Sequence, residues 1–210
     1  MRFIWLTSMF YRKIFFVGLQ VFILLFPAFT LMSHPHVFLY STVKVVFDEK
    51  GLAGVQVNWV FDEMFSSMII LDFDKNGNQR FELSEIESVK KGAFENLREV
   101  DYLMHIKIDG KPFKVKYVTD FSAEITTGKM AYRFFVPCHV QAKESFKEVT
   151  LSIYDVTFYS SVFLEKNPVT YENRQFYEVE HTIEKNQGEA YYYGQVYPEE
   201  IILKFRQKNG

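Results

Sequence analysis

The stretch VFLYSTVKVVF, residues 37–47, sets Val37, Leu39, Val43, Val45 and Phe47 at odd positions with polar or exposed-type residues between several of them. A period of two brings these side chains to one face of an extended strand, a pattern that a helix of 3.6 residues per turn cannot bury. DEKG then supplies a turn ending at Gly51, and LAGVQVNWVF repeats the alternation with Ala53, Val55, Val57, Trp59 and Phe61 on one face against Gln56 and Asn58 on the other. The two runs predict a hairpin. Aromatic residues reach 18% of the chain, 23 Phe and 13 Tyr among them, and because rings suit half-buried pleated surfaces, strands are expected to form the bulk of the molecule.

The period changes after this hairpin. Phe61, Met64, Phe65, Met68 and Ile69 recur at helical spacing, and Ile86, Val89, Ala93, Phe94, Leu97 and Val100 mark a second amphipathic helix. Ser84 and Glu87 fit a capping box near its start, and Gly92 weakens it by ~1 kcal/mol relative to alanine. From Tyr102 strands return. HIKIDGKPFKVKY predicts a second hairpin, since Asp109-Gly110 is the dipeptide preferred by a type I′ turn. Further strands are expected at 121–125, 130–136, 149–154, 156–164, 175–182 and 201–205. The expected fold is mainly β: an antiparallel β-sandwich, one domain over residues 34–210, with an EF-hand-like helix-loop-helix inserted at about residues 62–100.

Residues 1–33 read as a secretory signal peptide. Arg2, Arg12 and Lys13 precede IFFVGLQVFILLFPAF, residues 14–29, and TLMS follows, which is the order of charged, apolar and small-residue regions in an export signal. Met9 offers an alternative start with a shorter charged region, and retention of the apolar run as an anchor is the alternative to cleavage. Pro27 and the small polar residues favour cleavage after Ser33. The expected product is periplasmic or otherwise exported, soluble, and tied to the membrane through this leader alone. The cleavage region holds no cysteine for a lipid anchor.

Charge and cysteine content exclude other classes. A formal charge of -2 and a pI near 6.2 give no basic excess with which to bind phosphate, so no nucleic-acid partner is expected. Cys138 is the only cysteine. It cannot form an internal disulfide, lacks the spacing of a cysteine-based zinc site, and is expected to be a small buried hydrophobe.

The richest chemistry lies in DKNGNQRFELSE, residues 74–85. A calcium loop between two helices needs oxygen ligands at positions 1, 3, 5, 7 and 9 and a bidentate Glu at 12. A register starting at Asp72 fails because Leu83 falls at position 12. Starting at Asp74 gives side-chain oxygens from Asp74, Asn76 and Asn78, the Arg80 carbonyl, Glu82 directly or through water, and Glu85 at position 12, with Phe81 as the apolar anchor. Gln79 occupies position 6, where glycine normally takes a left-handed conformation, at a cost of roughly 1–2 kcal/mol. With three formal charges the expected dissociation constant for calcium is about 10⁻⁴–10⁻³ M, and a single loop implies a structural rather than a switching role.

A second, softer site is expected at the processed end. Cleavage after Ser33 would leave His34-Pro35-His36 at the start. The free amine and two imidazoles, on the same side of an extended chain, offer three nitrogen donors for a divalent transition metal such as Ni, Co, Zn or Cu, and Pro35 removes the amide that would otherwise compete. His105, His139 and His181 read as surface or satisfied histidines, and Asp62, Glu63 and Asp155 as candidate oxygen ligands at element ends.

HPHVF after the signal, NWVFDEMFSSMI, the calcium-like loop, YLMHIKIDGK and YDVTFYSSV occur in this order. Together they resemble a bacterial family of exported proteins known as domain-of-unknown-function family number 1007 and labelled a periplasmic component of an ABC-type transport system. The resemblance spans His34 to Phe205 and implies periplasmic residence, transition-metal handling, and inner-membrane metal permease or transporter subunits as partners. Members of that family usually have glycine at the position of Gln79. The combined expectation is a periplasmic metal-binding accessory protein of a Ni, Co or Zn transport system with a structural calcium-like loop. The alternative is a calcium-stabilised envelope interaction module that presents aromatic loops such as Tyr191-Tyr192-Tyr193. No catalytic acid and base or substrate groove is marked, so no enzyme activity is expected.

Overall fold

The computed structural model describes residues 35–208; the expected leader and His34 lie outside them. β1 (Val37–Phe47) and β2 (Gly51–Phe61) form the predicted antiparallel hairpin, with Val43 opposite Val57 and Ser41 opposite Trp59. A bulge between Leu52 and Gly54 breaks the alternation. Leu52 is therefore buried, while Ala53, expected inward, is only half-buried.

Among the described residues, eight further strands complete two five-stranded sheets: β3 (Met104–Ile108), β4 (Lys111–Phe113), β5 (Thr119–Thr126), β6 (Lys129–Gln141), β7 (Lys147–Ile153), β8 (Ser160–Glu172), β9 (Tyr177–Lys185) and β10 (Glu199–Gln207). The first sheet runs β5-β6-β2-β1-β8 and the second β4-β3-β7-β10-β9. Asp109 and Gly110 both have positive φ, 48° and 75°, as the β3–β4 turn requires. Inward faces of both sheets share one core. Trp59 meets Phe134 edge-on at 4.9 Å, and Phe47 joins Phe205 and Tyr177 of the second sheet at 5.4 and 4.9 Å. Cys138 is buried in this core, as its composition-level reading expects.

The sandwich departs from the expected antiparallel pattern in one pair. β1 and β8 run parallel, which the long intervening chain permits because a parallel neighbour needs a crossover rather than a tight turn. The strand expected at 156–164 begins later, at Ser160. Asp155 holds a turn ahead of it, accepting from the Thr157 N–H at 2.9 Å and the Ser160 N–H at 3.1 Å. β8 then continues to Glu172.

The helical segment follows β2. Asp62 caps α1 (Glu63–Phe73): its Oδ1 accepts from the N–H groups of Met64 and Phe65, and its Oδ2 from the Phe38 N–H of β1 at 2.8 Å. Buried Ser66 pins the helix to the sheet, donating to the Phe61 carbonyl and accepting from the Met130 N–H at 2.9 Å. The second expected helix is not continuous. It is an α-helix, α2 (Leu83–Val89), then a π turn (Lys90–Phe94), then a 3₁₀ stretch (Glu95–Leu103) broken by non-helical Val100, Asp101 and Tyr102. Gly92 lies against the Phe73 ring, where a Cβ would sit 2.9 Å from its edge. The π turn delivers Phe94 into the core, 4.2 Å from Phe121 and 5.1 Å from Phe134 by ring centroid, a burial worth about 2–3 kcal/mol. The capping box sits earlier than expected: Glu82 is the cap and the Glu85 carboxylate reaches back to it, while Ser84 lies inside the helix. Among the described residues no helix is long and apolar enough to cross a membrane.

Candidate metal centres

α1 ends at Phe73 and the chain reverses through Gly77 and Gln79, with φ of 69° and 63°. Oxygen-bearing side chains at alternate positions then do what short polar side chains do in turns, accepting backbone N–H groups two to five residues ahead. Asp74 accepts from Asn78 at 3.2 Å and from Gln79 at 2.9 Å. Asn76 accepts from the Asn78 N–H at 2.9 Å, and Asn78 from the Arg80 N–H at 2.8 Å. The Glu85 carboxylate closes the loop, taking the Lys75 N–H at 2.8 Å on Oε1 and the Glu82 N–H at 3.0 Å on Oε2. The amide nitrogens of Asn76 and Asn78 each donate to Glu82 at 2.8 Å. Phe81 packs against the core, fixing the loop on the sandwich.

The electrostatics of this loop are lopsided. Asp74 and Glu85 are only 8% and 6% exposed, yet among the described residues no Lys, Arg or His reaches ion-pair distance of Asp74, Glu82 or Glu85. Lys75 and Arg80 are exposed. Backbone N–H groups alone compensate the buried charge, although burying a carboxylate normally demands a counter-charge. The donor set is oxygen only, which suits a hard cation. Each Asx and Glu oxygen in the loop keeps a lone pair beyond the bond it accepts. Among the described residues, however, no three His, Cys, Asp or Glu side chains are grouped to hold a metal by themselves; a cation here would draw on the Asn carbonyls and the Arg80 carbonyl as well.

The four described histidines do not converge. His36 opens β1, donating its N–H to the Tyr159 carbonyl at 2.9 Å with its ring 5.1 Å from that of Tyr159. His105 stacks on Tyr154 at 3.7 Å, and its Nε2 bonds the Tyr154 carbonyl at 3.0 Å. Desolvation by burial lowers its pKa, against the opposing effects of that hydrogen bond, Glu189 and Asp101. His139 is exposed in a bulge of β6 with φ of 52°. His181 Nδ1 is 2.6 Å from the Tyr171 hydroxyl. Asp62 and Asp155 have their oxygens in the cap and turn described above. Burial pushes the Cys138 thiol up to about 12, so it is no thiolate ligand.

A family match covers residues 19–204 under the description "Protein of unknown function (DUF1007)". The chain belongs to this family. Two relatives are similar to it. One is the "uncharacterized 15.5 kDa protein in trpE 3'region" of Spirochaeta aurantia, 31% identical over 131 residues, which are 62% of this chain and 93% of that protein. The other, an uncharacterized protein of Haemophilus influenzae, is 24% identical over 138 residues, 64% of this chain and 65% of the relative's length. The family resemblance read from the motifs thus holds, and its matched region contains the whole loop from Asp74 to Glu85.

Asp74, Asn76, Asn78, Glu82 and Glu85 lie within the loop's own hydrogen-bond network, whereas Asp62 and Asp155, read as candidate oxygen ligands, cap α1 and hold the turn before β8. Both precede short polar or helical starts, and cap chemistry was the available signal. Tyr191, Tyr192 and Tyr193 are expected together in a presenting aromatic loop. Tyr191 packs on Tyr154 at 4.6 Å and Tyr192 on Phe158 at 5.1 Å, and Tyr193 alone of the three is exposed.

Proposed function

We propose that this chain is an exported divalent-metal-binding accessory protein of the cell envelope, in which loop 74–85 seats a calcium ion that fixes the helical segment on the sandwich. The observation that carries this reading is the pair of buried carboxylates, Asp74 and Glu85, with no cationic side chain at ion-pair distance among the described residues. Asp74, Asn76, Asn78, Glu82 and Glu85 side chains and the Arg80 carbonyl would hold the ion. It would supply the missing positive charge in an EF-hand-like arrangement between α1 and α2. His34 and His36 would add a separate nitrogen site for a Ni, Co, Zn or Cu ion at the processed end, and the permease of a transition-metal transporter would be the partner. That second part rests on the family resemblance and on the extended chain entering β1 at His36.

Calorimetric titration of the purified protein with calcium tests the loop. One site with a dissociation constant of about 10⁻⁴–10⁻³ M is expected, lost in Glu85→Gln and unchanged in His36→Ala. Absence of binding up to ten millimolar calcium overturns the loop reading. Metal analysis of protein recovered from the envelope tests the other site: a transition metal lost on His34→Ala supports it, and calcium alone does not. An interaction module without a transport role is favoured by a different observation. Met64, Met68 and Leu71 form an exposed stripe on α1, a flexible apolar face of the kind that re-packs on partners.

A further inference from the structure

β8 and β9, each one of the two edge strands of its sheet among the described residues, are tied part-way by the Tyr171–His181 hydrogen bond at 2.6 Å. β8 has two segments. From Ser41 to Val43 the ladder advances two residues on β1 while β8 advances five, from Leu164 to Val169, so a bulge separates a segment held near β9 from a segment starting at Ser160. Beside the second segment a cavity of about 490 Å³ opens between the sheets, within the range of small-ligand sites.

Its walls are apolar. Leu151 and Ile153 of β7 form one side, and Val162 and Leu164 of β8 the other. Tyr154, Phe158, Tyr191 and Tyr197 close the end. These rings are fixed in place. The 186–198 strap that carries Tyr191 and Tyr197 is pinned by the Lys107–Glu189 ion pair and by Asn186 donating to Glu200 at 3.2 Å. Tyr191 also packs on Tyr154, which is stacked on His105. The cavity is thus preformed by contacts on its outer side.

Polar groups gather at the mouth. Lys185 lies on the same strand face as His181, which meets β8, and lines the cavity. Glu199 faces it in register but stays beyond ion-pair distance, and among the described residues Lys185 has no carboxylate partner. A single ammonium suits a monoanion rather than a dianionic phosphate, which would need a cluster of Arg or Lys, and the Glu199 carboxylate opposite it confines an anionic group to the Lys185 side of the mouth. The apolar length behind it favours a hydrocarbon chain.

We propose that this cleft binds a long-chain carboxylate, the chain lying between β7 and β8 under the tyrosines and the carboxylate on Lys185. The cation loop lies elsewhere in the chain and has no part in it. Calorimetric titration of the purified protein below the micellar concentration, with palmitate, acetate and cetyltrimethylammonium as probes, tests the site. Palmitate is expected to bind one to one, at least about tenfold more tightly than cetyltrimethylammonium. Lys185→Glu on the exposed rim should reverse that preference without changing the circular dichroism spectrum. Leu164→Trp should fill the slot and abolish both. Failure of palmitate to bind, equal binding of acetate, or a palmitate affinity that survives Lys185→Glu in the folded variant overturns the proposal.

Discussion

Gln79 holds φ of 63° in the middle of the loop, a conformation that costs a residue with a Cβ roughly 1–2 kcal/mol. The Asp74 carboxylate fixes it there by accepting the Gln79 N–H at 2.9 Å, so the strain belongs to the fold of the loop rather than to any ion. Gln79→Gly should therefore stabilise the protein by about 1 kcal/mol, read as a raised urea midpoint, part of the gain being offset by the freer unfolded chain. The calcium affinity should move by less than about threefold. A lowered midpoint would show that the Gln79 side chain contributes more than its backbone costs. The sequence located this residue and its conformation, because position 6 of a register starting at Asp74 demands it. It did not reveal that Glu85, besides being the twelfth residue, completes the capping box of α2 by accepting the N–H of the cap residue Glu82.

At the scale of elements, the β2–β6 pair shows how a close approach selects glycine. Gly54 sits at the bulge opposite Pro137, and a Cβ there would lie 2.2 Å from the Val136 carbonyl oxygen and 3.0 Å from the Pro137 Cα. These are backbone atoms in the middle of a sheet and cannot turn aside. Gly54→Ala should cost about 3 kcal/mol by forcing the strands apart, measured as a loss in urea unfolding free energy; a cost under about 0.5 kcal/mol would mean the bulge relaxes freely. Gly92 illustrates the limit of propensity. Counted as a helix-weakening residue, it instead makes room for the Phe73 ring at the π turn, and the packing of Phe94 that follows was invisible in a periodicity that runs smoothly through residue 100.

Over the whole molecule, stability should depend on pH through His105. Burial against Tyr154 holds its pKa below the ordinary 6.5, so the native state binds fewer protons than the unfolded chain. The stabilisation is present in full above pH 6.5 and is lost as pH falls through that value toward the lower native one. His105→Phe keeps the stack on Tyr154 and removes the proton site. Its unfolding free energy should be lower at pH 7.5, from the lost bond to the Tyr154 carbonyl, yet flatter between pH 7 and 5 than that of the parent. An unchanged slope in the variant would assign the dependence to other groups. Because Tyr154 also joins the strap to the cleft, the same titration would loosen the cavity wall in acid.

Alternation in residues 37–61, the Asp109-Gly110 turn and the oxygen spacing from Asp74 to Glu85 were determined by the chain itself, since each rests on contacts between near neighbours whose geometry follows from residue type. The parallel β1–β8 pair was not, and neither was the bulge in β8. Both arise from strands more than a hundred residues apart, whose pairing depends on what the rest of the sandwich leaves open. The same holds for the cleft: Leu151, Val162, Lys185 and Tyr191 carry no common motif, and only the parting of two sheet edges brings them to one cavity. Local spacing encodes what neighbouring residues do to one another, whereas a site between sheets exists only once the core has chosen which edges face each other.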